Sequence, residues 1–153
     1  MNAVLLSLHV LAAIVAVGPI CVAASLFPAE ARRALEGRSA DAGPRLAVLA
    51  RISRVYAAVG IAVPVLGMMT AASMDVLSQT WVIVSMGLTF VAALVLALVV
   101  LPQQQSLLAG IAAGSDTARR EIGRLAMVTG VFNLLWAAVT VLMIVRPGST
   151  TGV

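Results

Sequence analysis

The sequence is poor in charged and aromatic residues, and it contains no lysine, one cysteine and one histidine. Charged residues occupy 10% of its 153 positions and hydrophobic residues 61%. This balance excludes a soluble globular protein, because too few polar side chains are available to cover its surface. The single Cys21 excludes an internal disulfide. Together with a mean hydropathy of +1.08, the composition predicts a membrane protein.

Four long apolar stretches account for most of the chain. They cover residues 3–27, 55–74, 81–101 and 125–145. Each has about the 20 residues that a helix needs to cross a hydrocarbon core of roughly 30 Å. We expect the first stretch to stay as a helix and not to be a cleaved signal peptide, because no basic residue precedes it. The sequence predicts an all-α protein, a four-transmembrane-helix bundle that forms one membrane domain over residues 1–153.

Arginines are concentrated in the first and third links between these stretches. Nine lie there: Arg32, Arg33, Arg38, Arg45, Arg51, Arg54, Arg119, Arg120 and Arg124. The second link has none, and Arg146 alone follows the fourth stretch. The positive-inside rule then predicts a multi-pass protein of the bacterial inner membrane with both termini outside. Anionic lipid headgroups are the expected partners of these arginines. Nucleic acid is not expected, because no basic groove with interleaved aromatic residues is present.

The arginine-rich links have helical patterns, which predict helices extended on the cytoplasmic side. Pro28 fits the first turn of a short helix over residues 29–35. Pro44 fits the first turn of another helix, whose apolar face continues into the second stretch as far as Met74.

Glycines, prolines and one aspartate predict where the helices break or bend. Gly110 and Gly114 are expected to interrupt the chain after the third stretch, and Asp116 to cap the fourth helix. Pro19 and Pro64 lie inside apolar stretches and should kink them.

Few residues at membrane depth can bind a cofactor. His9 lies six residues into the first stretch, in the outer half of the predicted membrane. Four methionines are predicted in the same half: Met68, Met69, Met86 and Met143. Imidazole and thioether groups suit haem iron or Cu(I), so these five residues are a candidate site for haem b or copper. The alternative is that His9 hydrogen-bonds a neighbouring carbonyl or hydroxyl and that the methionines only pack.

The sequence offers no catalytic arrangement of residues. No carboxylate lies inside an apolar stretch, and neither a nucleophile–base pair nor a phosphate-binding loop can be assembled. Asn133, near the middle of the fourth stretch, is expected to hydrogen-bond between helices. Small residues recur one turn apart in each stretch, as Ala12/Ala16, Ala58/Ala62, Ala93/Ala97 and Ala126/Gly130. The lack of a catalytic arrangement favours a protein that is not an enzyme and leaves its activity open.

Short motifs at both ends of the chain carry a family resemblance. The segment from Leu8 to Ile14 with its histidine, the Trp81 that opens the third stretch and the closing Leu142-Met143-Ile144-Val145-Arg146-Pro147 resemble a bacterial family of predicted integral membrane proteins of unknown function. More distantly, the first helix is similar to that of copper-resistance-D-like proteins and the haem b-binding membrane protoporphyrinogen oxidase. Only His9 carries over from that group, since the functional lysine expected there has no counterpart in this chain.

Three functions are compatible with these observations. The first is a structural or accessory membrane module that acts as a homodimer or in a membrane complex, which the small-residue pairs favour. The second is a haem- or copper-handling protein that uses His9 and the methionines. The third is a small transporter or channel, for which the sequence supplies no charge inside the membrane.

Overall fold

The computed structural model describes residues 2–37, 41–114 and 118–148. Six α-helices and a π-helical segment follow one another: α1 (Asn2–Leu35), α2 (Ala42–Val59), α3 (Ala62–Ser73), α4 (Thr80–Val95), the π-helical segment Leu96–Val100, α5 (Leu101–Ala112) and α6 (Ala118–Val145). Within the described residues they make four spans long and apolar enough to cross a membrane: Ala3–Leu35, Ala42–Ser73, Thr80–Ala112 and Ala118–Val145. The predicted all-α architecture with four spans is confirmed.

Two helices continue beyond the ends that the sequence predicts. α1 runs unbroken through Pro28 to Leu35, so the prediction of a separate helix over residues 29–35 is wrong. Membrane helices tolerate internal prolines where neighbouring helices and side chains satisfy the freed backbone groups. α5 likewise passes through Gly110, where a break is predicted, and the turn after it contains Gly114 with φ +68°. Arg38 and Asp116 lie outside the described residues.

Pro64 divides the second span into α2 and α3. Proline has no N–H to donate to the carbonyl four residues earlier, and its ring collides with that carbonyl. The Gly60 carbonyl instead accepts the Val63 N–H at 3.0 Å, and the helix is interrupted at Gly60 and Ile61. The kink expected at Pro64 is therefore confirmed, and it takes the form of a break in the helix. The prediction of a continuous helix from Pro44 to Met74 is wrong.

The third span accommodates Pro102 differently. Directly before this residue the helix widens into the π-helical segment, in which the Leu101 N–H bonds the Leu96 carbonyl five residues earlier. A π turn inserts one extra residue and changes which carbonyls lie beneath the next turn. The span thereby continues through its proline to Ala112.

Helix α1 is at the centre of the bundle and packs against α2, α3, α5 and α6. In the second hairpin, α4 and α5 pack on α6, whereas α3 and α4 touch only slightly. Interior side chains such as Phe27, Leu46, Leu107, Ile122 and Phe132 form a continuous core among these helices. We call the end of the bundle where α1 and α5 finish the arginine-rich end. The arginine-poor end is the opposite one, which carries Asp75 and Arg146.

Candidate functional site

The single histidine joins α1 to α3 near the arginine-poor end. His9 is buried, with 8% of its surface exposed, and its Nδ1 lies 3.0 Å from the Val63 carbonyl oxygen. Because a carbonyl can only accept, Nδ1 carries the proton and donates it, and in a neutral imidazole the lone pair is then on Nε2. Hydrogen bonding to a backbone carbonyl, one of the two roles considered for His9, is present in this structure.

Gly67 makes room for the imidazole one turn after Val63. A methyl group built on Gly67 would lie 2.9 Å from Cε1, 3.4 Å from Nδ1 and 3.6 Å from Nε2 of His9. The ring edge that carries both nitrogens therefore faces α3. We call Val63 and Gly67 together the His9 notch, which begins immediately beyond the break that Pro64 imposes.

Two of the candidate methionines, Met68 and Met69, follow Gly67 directly on α3. They lie about 100° and 200° around the helix from the glycine that faces the imidazole. Both therefore turn away from His9, and 46% and 50% of their surfaces are exposed.

The other two methionines belong to the second hairpin. Met86 on α4 is 41% exposed beside the buried Ser85, and Met143 on α6 is half-buried on the same helix face as Val139. The structure thus unites His9 with Val63 and Gly67, and ligation by the methionines stays a prediction. Within residues 2–37, 41–114 and 118–148, no group of three His, Cys, Asp or Glu side chains could hold a metal ion.

Asn133 forms the interhelical hydrogen bond expected from the sequence. Its Nδ2 donates to Ser25 Oγ at 3.0 Å and thereby connects α6 to α1. Ser25 was not predicted as the partner, although it is one of only three polar residues in the first apolar stretch.

A further polar contact connects α2 and α5 inside the bundle. Gln104 Nε2 donates to Ser53 Oγ at 3.3 Å, and both side chains are fully buried. The side-chain oxygen of Gln104, Oε1, has no hydrogen-bond partner. This pair could not be predicted from the sequence, because a glutamine beyond the apolar stretch is expected to be exposed.

The arginine-poor end is held by an aromatic contact between α4 and the end of α6. The Arg146 guanidinium lies 5.6 Å from the centroid of the Trp81 ring, within the range of a cation–π interaction. The Trp81 indole N–H also donates to the Gln79 side-chain oxygen. These contacts place the residue that opens the third span beside the residue that follows the fourth.

The chain matches a known family model. A family model described as predicted integral membrane protein, DUF2269, matches residues 3–147. The chain belongs to this family. The resemblance drawn from its terminal motifs is thereby confirmed, and this DUF2269 protein is an integral membrane protein. No curated protein and no solved structure matches it.

Proposed function

We propose that this DUF2269 protein is a structural or accessory membrane module and not an enzyme. The observation that carries the proposal is how the polar groups in the spans are used. His9 bonds the backbone of α3, Asn133 bonds Ser25 and Gln104 bonds Ser53, each across two helices. Groups used in this way position helices and stabilise the bundle.

Such a module would work with a second copy of itself or with another membrane protein. Ala58/Ala62 and Ala93/Ala97 face outward, where small residues let a further helix approach closely. The test is purification in mild detergent with measurement of the particle mass by light scattering. A dimer or a reproducible co-purifying subunit supports the proposal. A pure monomer with measurable flux in liposomes would contradict it and favour a small transporter or channel.

We also propose that the protein lies in the bacterial inner membrane with its arginine-rich end in the cytoplasm and both termini outside. The uneven distribution of arginine supports this orientation. In a Cys21→Ser background, Ser78→Cys should react with an impermeant maleimide on spheroplasts. Ala113→Cys should react only after lysis. The reverse pattern would overturn the orientation.

A haem- or copper-handling role is the second candidate, because of the His9 tautomer. Histidines that bind metals usually donate their other ring N–H to a carbonyl or carboxylate, and the bond to Val63 leaves Nε2 as the ligating nitrogen. His9 can thus supply one ligand. Met68 and Met69 turn away from it, so the second ligand would come from elsewhere in the chain or from a partner.

The absorption spectrum and metal content of protein from haem- and copper-replete cells separate the two candidates. A Soret band or near-stoichiometric copper that His9→Ala abolishes, while the protein stays monodisperse, would favour the cofactor role. A colourless and metal-free protein would favour the accessory module.

A further inference from the structure

An open groove of about 270 Å³ lies between α1 and α6, toward the arginine-rich end. Ser25 and Asn133 line its deeper part and Arg32 its outer part, with Thr129 between them. The exposed Gly130 carries no side chain that would fill it. The groove therefore opens on the surface of the bundle.

Thr129, one of the residues that line this groove, has a hydroxyl without a hydrogen-bond partner. Helical threonines usually donate to the carbonyl four residues earlier, and Thr70, Thr89 and Thr140 of this protein do so. Thr129 has 2% of its surface exposed, and its Oγ1 has no hydrogen-bond partner. A buried hydroxyl without a partner is costly, so a ligand in the groove that brought an acceptor to it would stabilise the protein.

The outer part of the groove is basic. Arg33 is paired with Glu30 at 2.6 Å, whereas no ion pair is recorded for Arg32 among the described residues. Arg32 also lines a second groove of about 190 Å³, together with Arg119 and Glu36. Arg32 therefore borders both grooves, and Arg119 and Glu36 belong to the second one. A guanidinium group binds phosphate through two parallel hydrogen bonds.

The spacing of these groups follows the layout of a phospholipid. On α1, Arg32 lies seven residues beyond Ser25, which is about 10 Å along the helix. On α6, Thr129 lies four residues before Asn133, which is about 6 Å along the helix. Because Ser25 bonds Asn133 and the helices run antiparallel, the Arg32 backbone lies about 4–5 Å further out than that of Thr129. The ester carbonyls of a phospholipid likewise lie a few bonds deeper than its phosphate.

We propose that this groove binds one anionic phospholipid. Arg32, with Arg119 nearby, holds the phosphate, and the Thr129 hydroxyl donates to an ester carbonyl. The acyl chains lie against the apolar surface of the bundle. This binding site goes beyond an accessory function and does not depend on which end faces the cytoplasm.

The test is native mass spectrometry of the full chain in mild detergent. Phosphatidylglycerol or phosphatidylcholine with identical acyl chains is added. The wild type should retain more phosphatidylglycerol than phosphatidylcholine. Arg32→Gln should lower that occupancy about five-fold, the effect of one cation near a lipid headgroup. Arg33→Gln is the matched control on the same helix and should retain wild-type occupancy.

The hydroxyl is tested by two substitutions of Thr129. Thr129→Val keeps the shape and removes the donor, and should reduce retention of phosphatidylglycerol. Thr129→Ser keeps the donor and should preserve it. Each variant is first checked for a monodisperse profile and an unchanged thermal midpoint. Should the valine variant be misfolded, the comparison of Arg32→Gln with Arg33→Gln decides.

Four results would overturn the proposal. Equal retention of the two lipids, or equal losses in Arg32→Gln and Arg33→Gln, would mean diffuse attraction and no site. Displacement of the lipid by millimolar inorganic phosphate would identify a soluble anion as the occupant. A dimer that Gly130→Leu dissociates would identify a second copy of the chain.

Discussion

His9 and Gly67 are so close that one methyl group added to the glycine would come within 2.9 Å of the imidazole Cε1. The same imidazole donates to the carbonyl of Val63, one turn earlier on α3. Steric fit and a hydrogen bond therefore act at the same contact. The position of α3 on α1 depends on the missing side chain of Gly67 as much as on the imidazole of His9.

Gly67→Ala should destabilise the protein, because the new methyl group forces the His9 ring or the whole of α3 to move. Overpacking of this kind costs about 1–3 kcal/mol, more than alanine returns through its better helix propensity. The free energy of unfolding in mixed detergent and SDS micelles measures the effect.

Gly87→Ala is the matched control for this prediction. A methyl group there meets nothing within 4 Å, so its stability should equal or exceed that of the wild type. The double variant His9→Ala/Gly67→Ala should lose less than the sum of its parts. Strict additivity would show that the two residues do not compete for one space.

His9→Phe removes the hydrogen bond to Val63 and retains an aromatic ring in the notch. Hydrogen bonds between membrane helices contribute about 0.6 kcal/mol on average and up to about 1.7 kcal/mol. We expect a loss in that range, and a larger one for His9→Ala because it also opens a cavity. Unchanged unfolding of the phenylalanine variant would show that steric fit alone holds the contact.

Ser25 and Asn133 should be energetically coupled across α1 and α6. In a double-mutant cycle with Ser25→Ala and Asn133→Ala, we expect a coupling energy of about 0.5–1.5 kcal/mol from SDS unfolding. The pair Ser25 and Thr140 is a control, because the Thr140 hydroxyl bonds Trp136 of its own helix. Zero coupling between Ser25 and Asn133 would contradict the hydrogen bond.

At the buried pair Gln104 and Ser53, a single substitution should reduce stability more than replacement of both residues. Ser53→Ala deprives the Gln104 amide of its partner and should cost about 1–3 kcal/mol. Ser53→Ala/Gln104→Leu replaces both polar groups and also removes the unpaired Gln104 oxygen, so it should return close to wild-type stability. The thermal midpoint of unfolding is measured for both variants in the same detergent. A double variant that is less stable than Ser53→Ala would refute this account.

Pro64→Ala should straighten the second span, because alanine supplies an N–H that can replace that of Val63 at the Gly60 carbonyl and restore the α-helical bond. Spin labels at Arg45→Cys and Ala72→Cys in a Cys21→Ser background report the distance along the span. In an unbroken helix the backbones of these positions are about 40 Å apart. We expect the mean distance to rise toward that value.

A label pair within α2, at positions 45 and 58, is the control and should not change. An unaltered distance between positions 45 and 72 would mean that packing on α1, and not the proline, imposes the bend.

The sequence predicts well those features that depend on local pattern. The four spans follow from continuous apolar stretches, and Asn133 is recognisable as a bonding group because a lone amide at membrane depth must find a partner. The prolines are harder. Pro28, Pro64 and Pro102 have the same local chemistry, yet one helix continues, one breaks and one widens into a π turn.

The candidate site depends on contacts between distant residues, which periodicity does not reveal. Val63 lies 54 positions from His9, and its contribution is a backbone oxygen that any residue would offer. Gly67 did carry a signal, since a glycine inside a helix often marks a close approach of another group. Thr129 gave none, because only the structure shows that its hydroxyl is unpaired.

Because α1 is at the centre of the bundle, its partners become available at different times during synthesis. His9 finds its partner when the second span is inserted, whereas Ser25 waits for Asn133, 108 positions later. At about 5–20 residues per second, this delay is roughly 5–20 s. During that time the side of the first span that faces α6, with its Ser25 hydroxyl, is open to lipid. A nascent chain that stalls before the fourth span therefore lacks the Ser25–Asn133 bond and exposes only the α6-facing side of its first helix, because α2 and α3 already pack on the rest.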